Sequence, residues 1–205
     1  MFRSALAALS ACTLLGGCAA LGALGQAAEP QDAFQIQAPA EGPVARAPRA
    51  EDLIVEIPAA SGAIDTDRIL IRPQATQVQY LSDARWIEPA PLMIQSALVE
   101  GLERSGGFRF VGRKPLGASG DVALVSNLVD FHAAIAPDTP GATVAVRLAV
   151  RLVREEDAAV ISSRTFAAGA TAPDTSTPAL VDAYDRATSR VIGEAVSWVL
   201  NQRGR

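Results

Sequence analysis

The chain changes its hydrophobic rhythm repeatedly, and each change marks an element. Phe34-Gln35-Ile36 alternates apolar and polar and predicts a first short strand. Leu53-Ile54-Val55-Glu56-Ile57, stopped by Pro58, predicts the next. Arg68 to Arg72 and Thr76 to Tyr80 flank Pro73-Gln74-Ala75, which reads as the turn of a hairpin. From Pro89 to Arg104 the period lengthens. Ile94, Ala97, Leu98, Gly101 and Leu102 recur three and four apart, predicting a helix with one buried stripe that ends at Ser105-Gly106-Gly107.

Strands then return. Phe108 to Val111 is short and alternating, and Val122 to Phe131 is apolar on both faces near its start, as a covered central strand would be. Thr143 to Arg154 alternates throughout, with Val144, Val146, Leu148, Val150 and Leu152 on one face and Arg147 and Arg151 on the other. Ala159 to Phe166 pairs with it across the polar turn Glu155-Glu156-Asp157. A last helix is predicted from an N-cap at Thr177 with Pro178 first in the helix. Its stripe is Leu180, Tyr184, Ala187, Val191, Ala195 and Trp198. The predicted fold is α/β: a mixed, largely antiparallel sheet with two long amphipathic helices packed on it, in a single compact sandwich domain.

The first residues follow a different logic. Arg3 supplies a positive start, Ser4 to Leu15 is apolar, and Leu15-Gly16-Gly17-Cys18 closes the run. A membrane span needs about 20 apolar residues, so this reads as a secretory signal over residues 1–17. Leu-Gly-Gly-Cys resembles the lipobox of bacterial lipoproteins, in which the cysteine thiol becomes a thioether to diacylglycerol. Leu9-Ser10-Ala11-Cys12 competes, but leaves an apolar core of only eight residues, Ser4 to Ala11. Cys18 is therefore the expected lipid anchor. Residues 18–32 are mostly small or polar and read as a lipidated tether; residues 33–205 form the domain, with a Pro-rich loop over 38–50.

Composition narrows the chemistry. Both cysteines lie within the first eighteen residues, leaving the domain no thiol for disulfides, zinc or nucleophilic catalysis. The net charge is −4, and loss of Arg3 with the signal makes it about −5. An acidic domain argues against nucleic acid as a partner. No Gly-x-Ser-x-Gly elbow and no phosphate-binding P-loop occurs, so any ATPase would be a separate subunit. The single histidine, His132, shares a strand face with Asp130 but has no second ligand beside it for a metal. A polar pair on a sheet face is the expected role, and no enzyme, metal or cofactor is anticipated. Arg147 and Arg151 are either lipid-phosphate contacts or, more commonly for such residues, an ion-paired face. Tyr80, Arg85 and Trp86 are candidates for a partner-binding patch, with core or edge packing the competing role for the aromatics.

A family resemblance rests on several segments taken together. They are Asp67-Arg68-Ile69, the run Val78 to Trp86, the helix into Ser105-Gly106-Gly107-Phe108, Leu128-Val129-Asp130-Phe131, and Ala183 to Ala187 followed by Trp198. This set resembles the ABC-type transport auxiliary lipoprotein component family from about Phe34 to Trp198. The resemblance implies a non-catalytic periplasmic lipoprotein accompanying an Mce-domain protein and an ABC permease and ATPase in intermembrane lipid transport. It also implies membrane lipids as partners through the acyl anchor, an outer-membrane location suggested by Ala19 after the cysteine, and self-association as an open expectation. The alternative is a scaffold for outer-membrane assembly or envelope integrity.

Overall fold

The computed structural model describes residues 31–117, 120–135 and 140–202. The expected signal, Cys18 and most of the tether lie outside these residues. Ala33–Arg205 form one compact unit. Among the described residues the sheet has nine strands: β1 (Asp32–Phe34), β2 (Arg49–Val55), β3 (Ala59–Ala60), β4 (Arg68–Gln74), β5 (Gln77–Trp86), β6 (Phe108–Gly112), β7 (Val122–Ile135), β8 (Ala142–Arg154) and β9 (Ala159–Ala172). Helices α1 (Ala90–Ser105) and α2 (Thr177–Asn201) pack on it. The expected mixed sheet with two amphipathic helices is what the chain forms.

β7 is the spine. Antiparallel β8 pairs with it from Val122↔Arg154 to Ile135↔Ala142, and β9 continues the sheet beyond β8. The other edge of β7 is shared by three parallel strands in succession: β2 at residues 122–124, β3 at 127–128 and β4 at 133–134. β6 pairs with β2, and β5 pairs with β4.

Near its start β7 is covered on both faces, with Val122, Ala123 and Leu124 all buried, and a register shift between Leu128 and Asp130 then interrupts its alternation. The extra residue at a bulge reverses the alternation. Val122, Leu124, Ser126 and Leu128 face inward before it, Phe131 and Ala133 after it, and Asp130 and His132 turn outward. On β8 the alternation holds throughout, with Val144 to Leu152 buried and Arg147 and Arg151 exposed.

Both helices contribute to one core. At Gly101 of α1 a Cβ would lie 3.1 Å from Val196 Cγ2, so glycine there leaves room for Val196 of α2. Gly106 ends α1 in the left-handed region at φ 63°, a conformation glycine adopts without a Cβ penalty. Buried Gln95 donates from Nε2 to the Val55 carbonyl at 2.8 Å, satisfying the end of β2. Trp198 is buried, 5.8 Å from Phe166 of β9 in a T-shaped contact.

Several boundaries differ from the expected ones. The hairpin turn is Ala75-Thr76, because Pro73 and Gln74 still belong to β4. β2 begins at Arg49, inside the expected Pro-rich loop, because Arg49 pairs with Phe108 of β6. The α2 N-cap is Ser176, not Thr177: the Asp174 carboxylate accepts from the Ser176 N–H at 2.9 Å, and the Thr177 hydroxyl instead donates to Asp83 at 2.8 Å. No helix among the described residues is long and apolar enough to cross a membrane.

Candidate functional site

The β4–β5 hairpin carries the residues expected to meet a partner. Arg68 and Arg85 lie opposite each other across the two strands, an arrangement that like charges disfavour. Two neighbours compensate. Asp67 Oδ2 accepts from Arg85 Nη1 at 3.4 Å, and the Arg68 guanidinium lies over the Tyr80 ring, 4.0 Å from its centroid. The Tyr80 hydroxyl donates to the Ala63 carbonyl at 3.2 Å. Tyr80 and Arg85 are partly exposed, and Val78 near the hairpin tip is 43% exposed.

Trp86 does not join them. Alternation along β5 turns Ala84 and Trp86 inward, and Trp86 is 0% exposed. It therefore leaves the expected surface trio as a core residue, locked between Phe131 and Tyr184. Tyr80 and Arg85 keep a surface role open, and Arg68, noted in the sequence only within the Asp67-Arg68-Ile69 segment, joins them.

The outward face of β7 and β8 carries the polar groups. Asp130 Oδ2 binds Arg147 Nε at 2.6 Å, so the acid beside His132 is engaged by the neighbouring strand. His132 Nδ1 is buried and has no hydrogen-bond partner among the described residues. Burial pushes its pKa below the ordinary value, Arg72 and Arg147 push it the same way, and Asp130 opposes them. Arg151 stays exposed on the same face of β8 as Arg147. Among the described residues no group of three or more His, Cys, Asp or Glu side chains is placed to hold a metal.

At the far end of the domain, Arg49 donates from Nη2 to the Val199 and Leu200 carbonyls at 3.1 and 2.7 Å. A cation there satisfies carbonyls of the last turn of α2 and complements its dipole. The same guanidinium lies 4.7 Å from the Phe108 ring centroid. Arg49 thus ties the two ends of the domain together, a role hidden in a segment that reads as loop.

With this geometry in place, the sequence profile of the ABC-type transport auxiliary lipoprotein component family matches residues 34–195. The chain belongs to that family. Among solved structures, this auxiliary lipoprotein is similar to a protein from Xanthomonas campestris at 28% identity and a TM-score of 0.71, covering 82% of this chain and 93% of that one. A second crystal structure, of an uncharacterised protein, shares the fold at 15% identity and a TM-score of 0.63, over 83% and 99% of the two chains. No protein of curated function is detectably similar in sequence. Family membership makes this chain a lipoprotein and an auxiliary component of an ABC-type transporter, with a membrane-anchored place in the cell envelope.

Proposed function

We propose that this auxiliary lipoprotein is a non-catalytic periplasmic subunit of an Mce-associated ABC system, anchored through Cys18 at the periplasmic face of the outer membrane. In that role it supports movement of lipid between the two membranes and so the lipid balance of the outer one. The observation that carries this reading is the family match over residues 34–195, nearly the whole folded domain.

The geometry supports a positioning role. Bivalent placement, with an acyl anchor in one membrane and a protein contact at the domain surface, raises the local concentration of the partners without any chemistry of its own. Arg68, Tyr80 and Arg85 on the hairpin offer a partly exposed aromatic and two guanidiniums, residue types enriched in protein interfaces. The residue that most resembles a catalytic group, His132, lacks a free acid to orient it, since Asp130 is held by Arg147.

The test is a deletion strain scored for outer-membrane permeability and for lipid transfer, then complemented. The reading expects a leaky barrier and slowed transfer, both restored by the wild-type gene and by Asp130→Asn. Normal transfer with defective assembly of outer-membrane proteins would instead favour an envelope scaffold. Hydrolase activity in the purified protein, lost in His132→Gln, would overturn the non-catalytic assignment.

A further inference from the structure

We infer that the outward face of the sheet carries a phosphate-binding site built on Arg72 and His132. The inference stands apart from the transport reading, since it rests on side-chain placement alone. β4 and β7 run parallel there, with Arg72 beside Ala134. His132, two residues earlier on β7, points to the same face as Ala134. Together with Gln74, Ile135 and Thr143 these residues line a concavity of about 660 Å³. Arg72, His132, Gln74 and Thr143 supply its polar groups; Ala134 and Ile135 supply apolar surface.

Two features mark this concavity as an anion site. First, Arg72 Nε and His132 Nδ1 are both buried and both lack a hydrogen-bond partner among the described residues. A buried nitrogen that gives up water without gaining a partner is costly, and here two of them belong to side chains that line one cavity. Second, no carboxylate lines the cavity among the described residues, and the nearby acid is already paired, Asp130 with Arg147. A guanidinium without a carboxylate is free to present its planar fork to a second oxyanion, and phosphate matches that fork bidentately. The His132 ring, the Thr143 hydroxyl and the Gln74 amide supply further polar groups. At about 660 Å³ the concavity holds more than one phosphate, leaving room for an attached ester. The ligand is therefore a phosphate group, presented either by a free ion or by a lipid headgroup.

Burial disfavours the His132 cation most, and the charges around the ring add to or oppose it. Arg72 from β4 and Arg147 from β8 face His132 and disfavour its cation, while Asp130 of β7 favours it. A bound dianion adds to the side of Asp130, so it raises the imidazole pKa and binds more tightly as the ring protonates. Hydrogen bonds from Arg72 to the same anion hold it against the ring.

His132 is the only histidine in the chain, so imidazole NMR of the purified full chain in detergent reads this site without assignment. Sulfate keeps its charge across the useful pH range and serves as the probe for titration. Inorganic phosphate and the soluble lipid dihexanoylphosphatidic acid, each added at fixed pH, separate the two sources. Saturating sulfate is expected to raise the His132 pKa. Arg72→Gln is expected to weaken binding by about tenfold or more, with Arg72→Lys in between. Saturation by inorganic phosphate as well as lipid assigns a free-ion site; saturation by the lipid alone assigns a headgroup site. A His132 pKa unmoved by sulfate, together with imidazole signals unmoved by phosphate and by the lipid, overturns the proposal even if Arg72→Gln fails to fold. Equal binding in folded Arg72→Gln overturns it too.

Discussion

Trp86 of β5 meets Tyr184 of α2 edge-on, with ring centroids 5.3 Å apart and planes at 82°. Phe131 of β7 closes the triangle, 5.7 Å from Trp86 and 4.8 Å from Tyr184. The Tyr184 hydroxyl donates to the Leu70 carbonyl of β4 at 2.5 Å. One cluster therefore joins the hairpin, the spine strand and the long helix. Edge-to-face aromatic pairs add to the energy of burying their area, and the Tyr184 hydrogen bond fixes α2 against β4.

Truncation of this cluster measures its weight. Trp86→Ala is expected to cost about 3–5 kcal/mol through the cavity it leaves. Tyr184→Phe is expected to cost about 1–3 kcal/mol, because it strands the Leu70 carbonyl. Urea midpoints at constant m-value check both. A Trp86→Ala midpoint equal to wild type would contradict its place in the core.

The helix stop at Gly106 gives a second test. Its φ of 63° suits glycine, and a side chain there is strained although the space around it is open. Gly106→Ala is expected to destabilise the domain by about 1 kcal/mol. Thermal denaturation should show a lower Tm, and an unchanged Tm would mean the left-handed cap is not retained in solution.

The third prediction concerns acid. The folded-state pKa of His132 lies below its ordinary value of 6.5. Unfolding therefore takes up a proton in the window just below about pH 6.5. Stability should be full above that value and fall as pH drops through the lowered folded pKa. Carboxylates titrate lower, so the window from about pH 7.5 to 5 isolates this histidine. Wild type should lose more stability across the window than His132→Gln. Parallel losses in the two proteins would contradict the desolvated imidazole.

How much of this was legible beforehand depends on where the signal lies. The stripes of α1 and α2 and the alternation of β8 are local, because a helix or a half-buried strand writes its own period into the chain. The second half of β9, from Ala167 to Ala172, carries almost no strand propensity and is held there by the pairing of β8 with β9 from Arg147↔Ala167 to Ala142↔Ala172. The bulge in β7 broke the alternation it would have been read by, and Arg49 looked like loop because its partners Val199 and Leu200 lie at the other end of the chain. Tyr80 and Arg85 were found through their segment, while Trp86 in the same segment turned inward by strand parity. Arg72 and His132 share a cavity only through the parallel pairing of β4 with β7, a relation no local window contains.

The anchor assignment rests on sequence alone, since Cys18 lies outside the described residues. Cys18→Ser should abolish labelling with a palmitate analogue and leave uncleaved precursor, while Cys12→Ser should label normally. Three acyl chains, at about 0.8 kcal/mol per buried methylene, hold far more firmly than one, so the mature protein should stay with membranes until detergent is added. The reverse labelling pattern would move the anchor to Cys12.

Docking to a transport partner is tested most directly by site-specific photocrosslinking in cells, with the probe placed at Arg85 on the hairpin and, as a control, at Arg151 on the outward sheet face. The account predicts that Arg85 captures an Mce-domain protein encoded beside a permease and an ATPase, and that exchanging Tyr80 for a charged residue reduces the capture without lowering Tm. Capture of outer-membrane assembly machinery from Arg85, with no Mce-domain protein found from either position, would contradict it.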